Sequence, residues 1–138
     1  MKYLDEKFVL QLLKKQKINH SIVISDPSVK DCPMVYISSE FHQHTGYSQE
    51  ESLGKNCRFL QGPETDPKDI EQISLALKRK QKITIDILNY KKNGKKFWNR
   101  LRIIPIFDDK GNLIYFAGEQ NPIDVESVRR YSFGKIIE

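Results

Sequence analysis

Apolar and polar residues alternate in three segments of this 138-residue chain, at 83–90, 97–106 and 113–120. Alternation with a period of two is typical of strands that bury one face. Asn93 and Gly94 separate the first two segments, and a Lys-Gly-Asn turn at 110–112 separates the last two. An Asn-Gly pair between alternating segments is a strong indicator of a tight hairpin. The sequence therefore predicts three consecutive antiparallel strands.

Shorter elements precede these strands. Segments 21–25 and 34–38 are rich in β-branched and apolar residues and predict two further strands. Helix start and stop signals then predict short helices over 39–47, 48–54, 56–61 and from Asp66 onward. This order predicts an α+β fold, with a five-stranded antiparallel sheet and short helices on one face.

Three local signals mark the ends of these helices. Gly46 is placed to stop the first of them, because glycine adopts the left-handed conformation without strain. Ser48 and Glu51 have the spacing of a capping box. Asp66 and Pro67 are suited to the N-cap and first position of the last helix.

The length of the chain predicts one domain with an extension at each end. We expect an amphipathic helix within 1–20, a core over 21–121 and a short extension over 122–138. Val125, Val128 and Tyr131 have helical spacing, so a second amphipathic helix is predicted in that extension. The first helix has two interpretations, a cover for the sheet of its own domain or a contact for dimers and signal relay.

Composition excludes several classes of protein. No apolar run is long enough to span a membrane, and 1–17 lack the features of a signal peptide, so a cytoplasmic location is expected. The net charge of +5 comes from short basic runs of the kind that solvate helix ends and turns, so nucleic acid is not the expected partner. Two cysteines do not make a disulfide framework.

Three carboxamides lie on faces that are otherwise apolar. Strand alternation places Asn89, Asn99 and Gln120 on the same sides as the isoleucine, leucine and phenylalanine residues of their strands. An unpartnered buried amide costs about 1–3 kcal/mol. Backbone groups or ordered water are one source of partners, and a flat heterocycle with donors and acceptors on its rim is another. Gly118, on the same face, leaves room for a ring.

The hexapeptide over 56–61, Asn-Cys-Arg-Phe-Leu-Gln, combines a thiol, a guanidinium and two amides. Within 54–66, and along most of 22–120, the chain resembles the light-oxygen-voltage (LOV) domains, flavin-binding blue-light sensors of the PAS superfamily. Further matching stretches are 25–27, 45–47, 89–90, 94–99 and 115–120.

The resemblance implies a PAS fold that holds flavin mononucleotide (FMN) non-covalently in the dark. Under blue light the sulfur of Cys57 would add reversibly to flavin carbon C4a, and N5 would gain a proton. Gln120 would answer by rotating its amide at N5 and O4, because a carboxamide both donates and accepts. The resemblance therefore implies a switch that turns over no substrate.

The resemblance also assigns the binding residues. Arg58 would meet the phosphate, Gln61 the ribityl chain, and Asn56 the sugar chain or the Cys57 turn. Asn89 and Asn99 would bind the pyrimidine edge of the flavin. The remaining pocket residues would be Val23, Ser25, Leu60, Ile70, Ile73, Leu77, Ile87, Leu101, Ile103, Phe116 and Gly118.

Two positions depart from the LOV pattern. Ser74 stands where many relatives have a second phosphate-binding arginine, so riboflavin is an alternative to FMN. Cys32 replaces a common asparagine in the loop after the first strand, and we interpret it as a small buried filler. The resemblance further suggests a homodimer formed through the terminal helices, with a downstream signalling partner that the sequence does not identify.

Rival interpretations of Cys57 remain open at this point. A thiol enzyme would use Arg58 to lower the pKa of Cys57 and His42 or His44 as a base. A metal site built from the cysteines and histidines lacks the usual ligand spacing. The alternative within the same fold is a PAS module that senses another ligand or mediates interactions, without photochemistry.

Overall fold

The computed structural model describes residues 3–14, 21–132 and 135–137. Its strands are β1 (Ser21–Ser25), β2 (Met34–Ile37), β3 (Ile83–Tyr90), β4 (Lys96–Phe107), β5 (Leu113–Gln120), β6 (Pro122–Ile123), β7 (Arg130–Ser132) and β8 (Lys135–Ile137). Its α-helices are α1 (Glu6–Leu12), α2 (Ser39–Thr45), α3 (Gln49–Ser52) and α4 (Pro67–Lys78). Two 3₁₀ helices span Cys57–Leu60 and Val125–Ser127.

The main sheet is antiparallel, and its first five strands lie in the order β2-β1-β5-β4-β3. The predicted α+β fold is therefore confirmed. The bounds of β3 and β5 are those predicted, whereas β4 extends one residue further at each end and β2 ends one residue earlier. The short strand β6 adds to the sheet by pairing with β4 beyond the end of β5.

The predicted helix ends are also present. Gly46 has φ +82° at the end of α2, where a side chain would be strained. Ser48 and Glu51 form both hydrogen bonds of the capping box, at 3.2 and 3.0 Å. Asp66 accepts a hydrogen bond from the backbone N–H of Lys68 at the start of α4.

The two faces of the sheet have different covers. On the outer face, Val9 and Leu13 of the N-terminal helical segment pack on a buried cluster made of Ile24, Val35, Ile104, Ile106 and Ala117. The first helix therefore covers the sheet of its own domain, and its second interpretation, a contact for dimers and signal relay, stays a prediction. The inner face carries α4 and the other short helical segments, and the candidate site lies there.

The prediction of an amphipathic helix within 122–138 is wrong for the described residues of that segment. That segment forms β6, a single 3₁₀ turn and the strands β7 and β8, which pair with each other. Tertiary partners account for the difference, because the backbone N–H of Arg129 donates to Asp86 and the carbonyl of Ser127 accepts from Arg100. Val125, an expected member of the apolar stripe, is 65% exposed.

Candidate functional site

A cavity of about 280 Å³ lies between the inner face of the sheet and the short helical segments. Ligand pockets are typically about 300–1,000 Å³, so this cavity lies just below the lower end of the range for small organic ligands. Its lining residues are Val23, Ser25, Cys32, Asn56, Cys57, Arg58, Leu60, Gln61, Ile70, Ile73, Ser74, Leu77, Ile87, Asn89, Leu101, Ile103, Phe116, Gly118 and Gln120.

The structure brings nearly all sequence-predicted site residues to this one cavity. The exception is Asn99, which is fully buried behind the lining and bonds to Asn89 and Gln120. Cys32 and Ser74 line the cavity as well, although the predicted binding set did not include them.

Glycines at two positions shape the cavity and its approach. A Cβ at Gly118 would meet nothing nearer than Nε2 of Gln120 at 3.7 Å, so packing within the protein does not require glycine there. Its missing side chain instead leaves space on the cavity wall. A Cβ at Gly62 would lie 2.3 Å from the ring of Tyr90, so glycine is needed for the loop after the 3₁₀ helix to approach β3.

The three inner-face carboxamides form a network with one another. Nδ2 of Asn99 donates to Oδ1 of Asn89 at 3.0 Å and to Oε1 of Gln120 at 2.5 Å. Oδ1 of Asn99 accepts from the backbone N–H of Asn121 at 2.8 Å. We expected partners from backbone, water or a heterocycle, and mutual pairing of the amides adds a further source. The penalty for stranded amides is therefore smaller than the sequence suggested.

Ser21 is a residue that the sequence reasoning missed. It stands opposite Gln120 in the register of β1 and β5, and its side chain is fully buried. Its hydroxyl has no hydrogen-bond partner among the described residues. The signal available in the sequence was its position, two residues before Val23 on a strand whose inner face was expected to line the pocket.

Local structure fixes the position of Cys57. Oδ1 of Asn56 accepts from the backbone N–H of Arg58 at 3.0 Å, which caps the 3₁₀ helix at its start. Leu60 anchors the other end of the helix in a buried cluster with Val23 and Phe41, and Cys57 packs against that cluster. The cysteine is therefore presented to the cavity by a short, well-anchored turn.

The environment keeps Cys57 protonated. Burial raises its pKa to about 11, and the charge of Arg58 opposes this rise without overcoming it. The pKa of Cys32 also rises to about 11, through burial first and then through the charges of Cys57, Asp26 and Asp31. Two neutral thiols therefore face one cavity at pH 7.

This geometry does not favour a thiol enzyme. Reactive catalytic cysteines have lowered pKa values, whereas the pKa of Cys57 is raised in spite of Arg58, so the condition that a thiol enzyme would need is not met. Neither His42 nor His44 is among the lining residues, and Nδ1 of His42 lies 2.9 Å from the carbonyl oxygen of Tyr47. Within the described ranges, no cluster of histidine, cysteine, aspartate and glutamate is suited to a metal ion.

Arg58 lies at the edge of the cavity with a partner already in place. Its Nη2 donates to both carboxylate oxygens of Asp31, at 2.6 and 2.7 Å, and both side chains are more than half exposed. Ser74 lines the same cavity from α4. The polar groups of the site are thus an amide cluster on the sheet, a thiol, and a guanidinium paired with a carboxylate.

None of the helices in the described part of the chain has the length and apolar character needed to cross a membrane.

Known proteins are similar to this chain in sequence and in fold. The profile of the PAS domain family matches residues 19–121. A blue-light-activated histidine kinase of Brucella anthropi is 44% identical over 117 residues, which are 85% of this chain and 23% of that protein. Phototropin-2 of Oryza sativa subsp. japonica is 46% identical over 105 residues, which are 76% of this chain and 12% of that protein.

A solved light-oxygen-voltage domain, from work in which a flavin analogue sheds light on its mechanism, superimposes with a TM-score of 0.79. It is 44% identical in sequence, and the match covers 88% of each chain. This chain spans less than a quarter of the length of the two relatives above, but nearly all of this solved domain. The chain therefore belongs to the PAS family and, within it, to the light-oxygen-voltage domains.

Proposed function

We propose that this domain is a blue-light photoreceptor that holds a flavin, FMN or riboflavin, in the inner cavity. The observation that carries the proposal is that a partly buried thiol, Cys57, and a carboxamide edge, Asn89 and Gln120, line the same cavity. The names of the relatives support it, since they include a blue-light-activated kinase and a phototropin.

The cavity fits a flat, partly polar ring. Its walls are mostly aliphatic, with Ile70, Ile73 and Leu77 on α4 and Ile87 and Leu101 on the sheet. The amide edge offers both donors and acceptors, as the rim of a pyrimidine requires. Ser21, whose hydroxyl has no hydrogen-bond partner among the described residues, stands opposite Gln120 but is not among the residues that line the cavity. The donor set of the amide edge suits the flavin heterocycle.

Cys57 is the photoreactive residue in this proposal. A bound flavin supplies blue-light absorption and a ring carbon that accepts a thiol in the excited state. Because its pKa is about 11, Cys57 brings both the sulfur and the proton. With a flavin held beside it, Cys57 would give its sulfur to that ring carbon and its proton to the adjacent ring nitrogen. The reverse transfer in the dark would restore the thiol.

Gln120 relays the change in protonation to the rest of the chain. Its Oε1 accepts from Asn99, and Oδ1 of Asn99 holds the backbone N–H of Asn121. With a flavin bound beside it, rotation of the Gln120 amide would remove the acceptor that Asn99 uses. Each hydrogen bond of this kind contributes about 1 kcal/mol. The segment after β5 is the first to respond.

An absorption spectrum before and after blue illumination tests the proposed function. The wild-type protein is expected to be yellow, to bleach in blue light and to recover in the dark. Cys57→Ala should keep the yellow colour and lose the bleaching completely. Cys32→Ala, a second cavity thiol removed in the same way, is the matched control and should bleach like the wild type. A colourless wild type, or bleaching that survives in Cys57→Ala, would contradict the proposal.

The output of the domain belongs to the same proposal. Phe8 and Leu10 on α1 are 43% and 63% exposed, which leaves apolar surface on a helix whose opposite side packs on the sheet. We expect a homodimer formed through this surface, and signalling to a linked or separate effector, with no turnover by the domain itself. Sedimentation in the dark and under blue light tests the assembly, and identical monomers in both states would contradict it.

A further inference from the structure

The edge of the cavity carries an ion pair that bears on which flavin binds. Among the described residues that line the cavity, Arg58 is the one with a charged side chain, so it is the natural partner for a phosphate. FMN carries a phosphate and riboflavin does not. The state of Arg58 therefore decides how strongly the site distinguishes the two ligands.

Arg58 already has an anionic partner within the protein. The 2.6 and 2.7 Å contacts to Asp31 join one positive and one negative charge, so the pair offers no net charge to a phosphate. At 57% and 55% exposure the two side chains are open to solvent. Exposed pairs of this kind are weak and exchangeable.

The backbone fixes Asp31 in this position. Asp31 and Cys32 have positive φ values of 69° and 45°, a conformation that persists only where surrounding contacts impose it. Nδ2 of Asn56 donates to the carbonyl of Asp31 at 2.8 Å, and the N–H of Cys32 donates to Val29 at 2.9 Å. The flavin-facing turn and the loop between β1 and β2 are thus tied together at Asp31.

The helix opposite, α4, adds no positively charged side chain to the described lining of the cavity. Ser74 lines the cavity from α4, where it offers a hydroxyl but no charge. A phosphate at this edge would have to displace the Asp31 carboxylate from Arg58 or bind beside it. Both alternatives reduce the advantage that a guanidinium would otherwise give to FMN.

We infer that Asp31 controls the flavin preference of this domain, by competing with the phosphate of FMN for Arg58. The inference rests on the proposed function, because it concerns the same cavity and the same ligand class. Wild-type protein is expected to accept riboflavin nearly as well as FMN. Removing the charge of Asp31 should release Arg58 and favour FMN.

A competition experiment tests this directly. Flavin-depleted protein is incubated with FMN and riboflavin at equal concentrations, and the bound flavins are separated and quantified. Asp31→Asn should raise the bound FMN-to-riboflavin ratio by up to about fivefold, because the exposed pair that it removes contributes at most about 1 kcal/mol. Arg58→Gln should lower the ratio below the wild-type value, and the double variant should return toward the wild type.

The matched control is Glu64→Gln. Glu64 pairs with Lys96 at 2.8 Å, both side chains are at least half exposed, and neither residue lines the cavity. The substitution removes the same unit of charge and should leave the ratio unchanged. If Asp31→Asn moves the ratio no more than Glu64→Gln does, the inference is overturned while flavin binding stands. If the wild type binds neither flavin, the proposed function itself fails.

Discussion

Two arginine–aspartate pairs in this domain have the same chemistry and opposite surroundings. Arg100 and Asp86 stand opposite each other on β4 and β3, with side-chain exposures of 22% and 3%. Arg58 and Asp31 lie at the cavity edge, with exposures of 57% and 55%. The contacts are short in both pairs, 2.8 and 2.6 Å, so distance does not distinguish them.

The number of further partners does distinguish the pairs. Asp86 accepts from Nε and Nη2 of Arg100 and also from the backbone N–H of Arg129 at 2.6 Å. Arg100 additionally donates to the carbonyl of Ser127. The buried pair therefore holds the chain after β6 against the sheet. The pair of Arg58 and Asp31 joins two loops at a site that a ligand must also use.

The comparison teaches that the surroundings of an ion pair, and not its chemistry, decide whether it stabilises the fold or can exchange for another ligand. A buried pair with satisfied donors is costly to break, because one partner leaves the other charge stranded. An exposed pair contributes little to stability and can exchange for another anion. Stability should therefore depend on Asp86, and ligand choice on Asp31. Four predictions test this division.

The largest effect is expected for Asp86→Asn. The substitution keeps the shape of the side chain but removes the charge that Arg100 and the Arg129 N–H share. We expect a loss of about 3 kcal/mol in the free energy of unfolding. Urea denaturation of the wild type and the variant measures it, and a loss no greater than that of Asp31→Asn would erase the distinction between the pairs.

Removing both partners should be less harmful than removing one. The double variant Asp86→Leu with Arg100→Met replaces the buried pair by apolar side chains of similar size. We expect it to recover about 1–2 kcal/mol of the loss seen in Asp86→Asn. The recovery is partial because Ser127 also loses its donor. A double variant that is less stable than either single variant would contradict this expectation.

A pH dependence should separate the buried pair from the rest of the surface. Burial alone would raise the pKa of Asp86, but hydrogen bonds from Arg100 and Arg129, with their charges, hold it below its usual value. The folded state therefore binds this proton less readily than the unfolded state. The stabilisation is present above about pH 4, the ordinary aspartate pKa, and is lost as pH falls through the folded value.

The measurement is the difference in unfolding free energy between wild type and Asp86→Asn across this range. The difference controls for Glu51, whose pKa is lowered to about 2 by its hydrogen bond with Lys92, and for Asp108, whose pKa is lowered by Asn112. The difference in unfolding free energy between wild type and Asp86→Asn should shrink as pH falls below about 4. A difference that stays constant from neutral to acidic pH would show that Asp86 does not titrate as its contacts imply.

The smallest effect on stability is expected for Asp31→Asn. An exposed pair contributes about 0.2–1 kcal/mol, so unfolding in urea should change by less than about 1 kcal/mol. The change should also diminish at high salt, because exposed charges are screened. A loss comparable to that of Asp86→Asn would show that Asp31 is structural, and would weaken its assignment to ligand choice.

Local signals explain which parts of the fold were predictable. The strands at 83–90 and 113–120 and the caps at Gly46, Ser48 and Asp66 match the sequence prediction, because alternation and capping depend on neighbouring residues. The prediction of a C-terminal helix was wrong because that segment depends on contacts with residues that are distant in sequence. In this segment the backbone N–H of Arg129 donates to Asp86, and the carbonyl of Ser127 accepts from Arg100.

The candidate site was predictable as a set of residues and not as a set of bonds. The hexapeptide and the strand faces placed Cys57, Gln120 and most of the lining at one cavity. The mutual pairing of Asn89, Asn99 and Gln120 was missed, because single strands do not show which amides meet across a sheet. Ser21 and Asp31 were missed for the same reason.

The sequence by itself determined the order of strands and helices from β1 to β5, the family and the thiol that faces the cavity, because these depend on local pattern and residue type. Only the tertiary structure decided the path of the chain after β6, the pKa of Cys57 and the partner of Arg58. These depend on burial and on contacts between distant segments, and one side chain can become a structural anchor or an exchangeable ligand contact according to what surrounds it.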